Sequence, residues 1–228
     1  MCGRFSRDYT WAEVHRYYSL VSTPANIRPN YNICPTQQVD TVRDVDGGRV
    51  LTSMRWGVVP LWWQKSIKEL RLATFNARAE TVTTKPFFRN AWKRNRCLIP
   101  MSGYYEWQTV YPKFKQPWYF TRRDGNPVTA AGLWDEWKDP ESGELIRSCT
   151  MIITEPNTFV AGVHNRMPVV LEPDQFEPWL AGKAGLEMMK PAAEDVLTRW
   201  TVSPRVNSSR TSGDDPTLIE PYDPAVSK

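Results

Sequence analysis

Apolar and polar positions change period several times along the chain, and those changes mark its elements. Trp11, Val14 and Tyr18 recur at helical spacing, and Thr10 with Glu13 forms a capping box, so a short helix is predicted to open there. His15 falls at the margin of its apolar face. Residues 39–45 alternate, Asp46-Gly47-Gly48 supplies a turn and residues 50–56 resume the extended pattern, which together predict a β-hairpin. A second hairpin is read from Trp118-Tyr119-Phe120, a turn at Asp124-Gly125-Asn126 and the run 128–133. Residues 145–154 read as another apolar strand. Helical signals return after Pro173 and again over residues 187–200, with Pro178 and Pro191 limiting where those helices start and stop. The pattern predicts an α+β fold with twisted antiparallel sheets, a barrel-like core and flanking helices.

At 228 residues, with no Gly/Ser-rich linker, charge block or repeat, the chain is expected to form one domain over residues 1–222 and a short C-terminal tail at 223–228. Nineteen prolines and twelve glycines favour short strands and turns over a helical bundle. Four dispersed cysteines and two histidines, without a Cys-x-x-Cys pair, predict neither a metal site nor a cofactor. There is no apolar run of spanning length and no secretory leader pattern, so a cytoplasmic protein with reduced thiols is expected, and a monomer, since no pairing seam is legible. A net charge of +4 is compatible with a basic groove but does not establish one. Eleven Trp, nine Tyr and eight Phe exceed what one core usually needs, which leaves rings for a stacking surface.

The candidate chemistry begins at Cys2. Removal of Met1 would expose an α-amine and a thiol on adjacent carbons, titrating near pH ~8 and ~8.5 in the absence of large shifts, with Arg4 favouring the thiolate. Such an aminothiol can act as a nucleophile with its own amine as base, or condense with an aldehyde to an imine and then a thiazolidine. Glu106 shares a strand face with Tyr104, while Tyr105 and Trp107 line the other, so desolvation is expected to favour its protonated form and fit it for acid–base work. Asn76 can cap a turn, hold an oxyanion or orient an amine. His164 lies where a loop enters an apolar strand and suits acid–base chemistry, phosphate binding or a structural role. Arg4, Arg78 and Arg166 each adjoin one of these groups, and bidentate guanidinium suits phosphate. Trp62 and Trp63 read either as a base-stacking platform or as a hydrophobic clasp.

Five segments then carry a resemblance in order: Met1-Cys2-Gly3-Arg4-Phe5, Tyr31-Asn32-Ile33 with Pro35, residues 76–81, Arg96-Cys97-Leu98-Ile99-Pro100 with residues 103–107, and residues 164–168. With Val206-Asn207 and Leu218-Ile219 near the end, the chain resembles the SOS-response-associated peptidase (SRAP) family, whose members crosslink to abasic sites in single-stranded DNA. The resemblance implies that Met1 is removed, that the Cys2 amine attacks the ring-opened sugar aldehyde, and that its thiol closes a thiazolidine. It implies that Asn76 orients the amine or sugar, Glu106 assists ring opening and proton transfer, and His164 holds the sugar or its phosphate. Arg4, Arg78 and Arg166 match positions lining the DNA groove, and Trp62 and Trp63 an aromatic segment beside the displaced base stack. An abasic-site lyase side activity, association with the nucleoid when DNA is bound, and no cofactor are also implied. The alternative is a cysteine peptidase or autoproteolytic hydrolase using Cys2. Cys34 replaces a small apolar residue common in the family and reads as a buried substitute, while the basic loop with Lys65, Lys68 and Arg71 departs from the family pattern.

Overall fold

The computed structural model describes residues 2–112 and 114–223; Met1 and the tail beyond Asp223 lie outside the described residues. In chain order the elements are β1 (Phe5–Arg7), α1 (Trp11–Tyr18), β2 (Asn30–Ile33), β3 (Gln38–Val45), β4 (Gly48–Trp56), β5 (Asn76–Arg78), α2 (Arg89–Arg94) and β6 (Arg96–Met101). There follow β7 (Gly103–Tyr111), β8 (Phe114–Arg122), β9 (Val128–Lys138), β10 (Leu145–Thr154), α3 (Thr158–Ala161), β11 (Met167–Pro168), α4 (Phe176–Leu180) and β12 (Leu197–Thr201).

The fold is α+β, with two sheets. One runs β12-β8-β7-β1-β2. In the other, β10, β4, β3, β6 and β9 pair in turn, and β9 pairs back to β10, so five strands close into a barrel. Closure removes the unpaired edges that an open sheet would leave. Every residue of β6 is buried, because Cys97 and Ile99 face one apolar cluster and Leu98 the other, which explains an apolar run without alternation. Cys2, Phe5 and Tyr104 share a cluster with barrel residues such as Trp56, Ile99 and Met151. On the outward side of β7, Tyr105 packs with Tyr31, Tyr119 and the C-terminal Val206 and Leu218.

Local chemistry accounts for several elements. Thr10 accepts from the Glu13 amide while the Glu13 carboxylate accepts from the Thr10 amide at 2.6 Å, and α1 ends at Ser19 in the left-handed region. His15 is exposed on that helix, its ring 5.6 Å from that of Trp11. The β3–β4 hairpin pairs Val45 with Gly48 around Asp46 and Gly47, both at positive φ, as a two-residue turn requires.

Three expectations are corrected by long-range pairing. Asp124-Gly125-Asn126 does form a turn, but β8 pairs with β7 and β12 while β9 joins the barrel, so this turn links two sheets and makes no hairpin. Arg122 fixes the crossing by ion pairs at 2.8 Å to both Asp124 and Glu172. The helix expected over 187–200 is one short 3-10 turn at Leu186–Met188; Pro191 interrupts the segment, and Leu197 to Thr201 form edge strand β12 against β8. The sheets are not wholly antiparallel, since β10 runs parallel to β4 and β5, which reach it through long connections. After Pro173 a 3-10 turn leads into α4, where Pro178 occupies the first turn and its missing N–H is not needed.

Candidate functional site

Pairing of β1 with β7 sets Phe5 opposite Tyr104, and the Tyr105 amide donates to the Arg4 carbonyl at 3.0 Å, so the start of the chain lies along the strand that carries Glu106. Cys2 is thereby buried, with 1% of its surface exposed, close enough to Glu106, itself 1% exposed, for the carboxyl to raise its thiol pKa. Asn76 enters from β5, which is held against β10, and its amide donates to the Cys2 carbonyl at 2.9 Å. The Asn76 Oδ1 is buried and has no hydrogen-bond partner among the described residues. His164 follows α3, whose N-terminus is capped by Asn157, and its Nδ1 lies 3.5 Å from Glu106 Oε2. The Arg166 amide donates to the same Nδ1 at 3.2 Å. Cys2, Asn76, Glu106 and His164, separated by up to 162 positions, thus meet at one place.

Burial dominates the electrostatics. It pushes the Glu106 carboxyl up to about 7, against the lowering effects of hydrogen bonding with Cys2 and Trp107. Burial, then the Glu106 charge and hydrogen bond, push the Cys2 thiol well above its ordinary range. Burial also lowers His164, which favours the neutral ring. The expectation of a thiol free of large shifts and favoured as thiolate by Arg4 is therefore corrected. Arg4 turns away: one guanidinium nitrogen donates to Asn32 Oδ1 and, at 2.7 Å, to the Val206 carbonyl, and the group lies 5.9 Å over the Trp107 ring.

The other arginines differ from Arg4. Arg78 is exposed, two residues beyond Asn76 and on the same face of β5. Arg166 pairs with Glu80. Trp62 and Trp63 pack on each other at 6.3 Å and on Phe87, the Trp62 indole donates to the Pro86 carbonyl, and the Trp63 carbonyl accepts from Trp137. Their contacts are those of a clasp that leaves Trp62 38% exposed. Cys34 is buried and its thiol points to the Asn32 carbonyl at 3.4 Å.

Sequence reading assigned no role to Asn32, which the structure makes the anchor of Arg4, with its own amide donating to the carbonyls of Ser208 and Thr211. Nor did it single out Lys115, whose charge acts on both Glu106 and His164 from the neighbouring β8. A buried asparagine inside an apolar strand was the available signal for the first; the second depends on β7–β8 pairing. Among the described residues no cluster of His, Cys, Asp or Glu is arranged to hold a metal, and no helix is long and apolar enough to cross a membrane.

The sequence model of the family described as SOS response associated peptidase (SRAP) matches residues 1–209. The chain belongs to the SRAP family. It is 31% identical over 229 residues to a SRAP relative from Bacillus subtilis (strain 168), Abasic site processing protein YoqW, covering 97% of this chain and all of that one. Abasic site processing protein HMCES of Xenopus tropicalis is 29% identical, covering 81% of this chain and 64% of its own length. A solved structure from Bacteroides thetaiotaomicron shares the SRAP fold with a TM-score of 0.86 at 23% identity, over 97% of this chain and all of that one. Another, from Bordetella bronchiseptica, has a TM-score of 0.77 at 25% identity, over 89% of this chain and all of that one.

Proposed function

We propose that this SRAP protein captures abasic sites in single-stranded DNA as a covalent thiazolidine adduct through Cys2, after removal of Met1. The observation that carries the reading is a buried Cys2 beside Glu106, whose carboxyl burial pushes up to about 7, with Asn76 on the Cys2 carbonyl and His164 3.5 Å from that carboxyl. The printed names of its relatives supply the substrate class.

An abasic deoxyribose opens to an aldehyde, and a free Cys2 amine adds to its carbon to give a carbinolamine. Protonated Glu106 donates to the departing hydroxyl, water leaves and an iminium forms. The thiol proton then passes to the Glu106 carboxylate, sulfur attacks the iminium carbon, and the C=N electron pair returns to nitrogen to close the ring. A carboxyl poised near pH 7 holds both forms this sequence uses. Asn76 fixes the Cys2 carbonyl through its amide and leaves Oδ1 to accept from the freed amine. His164, neutral, positions the sugar or its phosphate. Arg78, exposed beside Asn76, takes a backbone phosphate, and binding tolerates sequence because the lesion offers no base edge. The same iminium permits β-elimination, which gives a secondary lyase activity.

Peptidase chemistry fits the site less well. A thiol nucleophile is drawn down in pKa by an adjacent imidazole, whereas here the group on the thiol is the Glu106 carboxyl and the thiol is pushed up. The test is incubation with an abasic single-stranded oligonucleotide followed by denaturing electrophoresis. The wild type should give a heat-stable adduct and Cys2→Ala none; an undiminished adduct in Cys2→Ala overturns the reading.

A further inference from the structure

The segment that brings His164 to Glu106 has little structure of its own. α3 is a single turn of four residues, too short to be stable through its own hydrogen bonds. Side chains from outside the turn hold both of its ends. At the N-terminus, Asn157 accepts from the Val160 amide, and the Glu194 carboxylate accepts from the Thr158 and Phe159 amides at 2.8 and 2.9 Å. Past the C-terminus, the Val163 and His164 amides both donate to the Val160 carbonyl, and the Phe159 and Gly162 carbonyls take partners from elsewhere. Arg199 of β12 donates to the first, and Gln108 of β7 to the second at 2.9 Å.

Gln108 stands two residues on from Glu106, on the same face of β7. Its amide has one workable orientation. The Trp118 indole N–H can only donate, and does so to Gln108 Oε1 at 3.1 Å, whereas the Gly162 carbonyl can only accept, and takes Nε2. A carboxylate there could not donate and an ammonium could not accept. Trp118 is in turn covered by the Arg199 guanidinium at 5.0 Å, so the two ties on the C-terminal side of α3 brace each other.

We infer that Gln108 is a positioning residue for His164, its side-chain amide fixing the Gly162 carbonyl and with it the placement of the imidazole against Glu106. The inference rests on the reading of His164 as the group that positions the sugar or its phosphate. Glu194 and Arg199 hold the turn, but Gln108 ties it to the strand that carries the carboxyl. One residue, Val163, separates the held carbonyl from His164, and it is buried in the apolar cluster that contains Cys2, so the tie is passed on with little slack.

The test is Gln108→Met in the full chain, which keeps an unbranched side chain of similar length and removes both hydrogen bonds. The chain has two histidines, so NMR of the imidazole protons resolves His164, with His15 on α1 as internal reference. The charges of Glu106 on β7, Lys115 on β8 and Arg166 beside His164 are the same in both proteins. In protein without DNA the variant's His164 should titrate at higher pH than the wild type's, as looser seating admits water. At saturating abasic single-stranded DNA the heat-stable adduct should form about five-fold more slowly, as loss of one neutral hydrogen bond would give, with DNA affinity at the wild-type level. In a His164→Ala background the same substitution should cause no further loss. Thermal unfolding should stay within about 3 °C of the wild type. An unmoved His164 titration with a wild-type rate overturns the inference, as does a loss that adds in full to that of His164→Ala. A wild type that forms no adduct would defeat the crosslinking reading instead, and the titration would still decide whether Gln108 places His164.

Discussion

Glu106 is buried among rings and raised from 4.5 to about 7, so it couples stability to pH as well as chemistry. Its folded value lies above its unfolded value. The stabilising contribution of the neutral form is therefore complete below about pH 4.5 and is lost as pH rises through 7. The shift corresponds to about 3 kcal/mol, and Glu106→Gln, which cannot ionise, should escape that loss. Urea unfolding at pH 4 and pH 8 should show the variant gaining on the wild type by that amount at the higher pH; a gap that does not change with pH contradicts a buried, neutral Glu106. The same substitution should slow adduct formation about 100-fold while leaving DNA affinity at the wild-type level. Equal losses in both would make Glu106 a structural residue.

At the scale of elements, the site depends on β1 lying against β7, and Gly103 is where that contact is tightest. A Cβ there would meet the Tyr119 ring at 2.3 Å and the Phe120 carbonyl at 2.5 Å, and Tyr119 is bonded to Ser6 of β1 at 2.7 Å. Gly103→Ala should therefore cost about 3 kcal/mol in chemical denaturation and reduce adduct formation, because β1, which follows Cys2, loses its seat. Substitution of Thr10 by Ala, remote from this contact, should cost only about 1 kcal/mol and leave adduct formation unchanged. The capping box, the Asp46-Gly47 hairpin and the strand at 145–154 were legible in the sequence because neighbours a few residues apart determine them. The partner of β8, the strand character of Leu197 to Thr201 and the parallel course of β10 were not, because each is decided by a distant strand. The site divides likewise. Cys2, Asn76, Glu106 and His164 could be named from residue type and motif, but the contact of residue 2 with residue 106, the withdrawal of Arg4 onto Asn32 and the rise of the thiol pKa follow from burial and pairing.

Across the whole molecule, the proposed DNA capture joins charge-driven binding to a covalent step, and the two separate experimentally. With Arg4 held inside the fold and Arg166 paired to Glu80, exposed Arg78 is, on the proposed reading, the residue to take the phosphate nearest the site. Arg78→Ala should lower affinity for single-stranded DNA regardless of sequence and reduce the slope of log K against log salt by about 1. An unaltered slope in a titration by fluorescence anisotropy would remove Arg78 from the interface. The covalent step is tested most directly by mass spectrometry of the adduct after digestion of both protein and DNA. The account predicts a modified N-terminal peptide that begins at Cys2, lacks Met1 and carries the sugar remnant as a thiazolidine; a remnant on Lys115 or another lysine, or on a peptide that retains Met1, would contradict it.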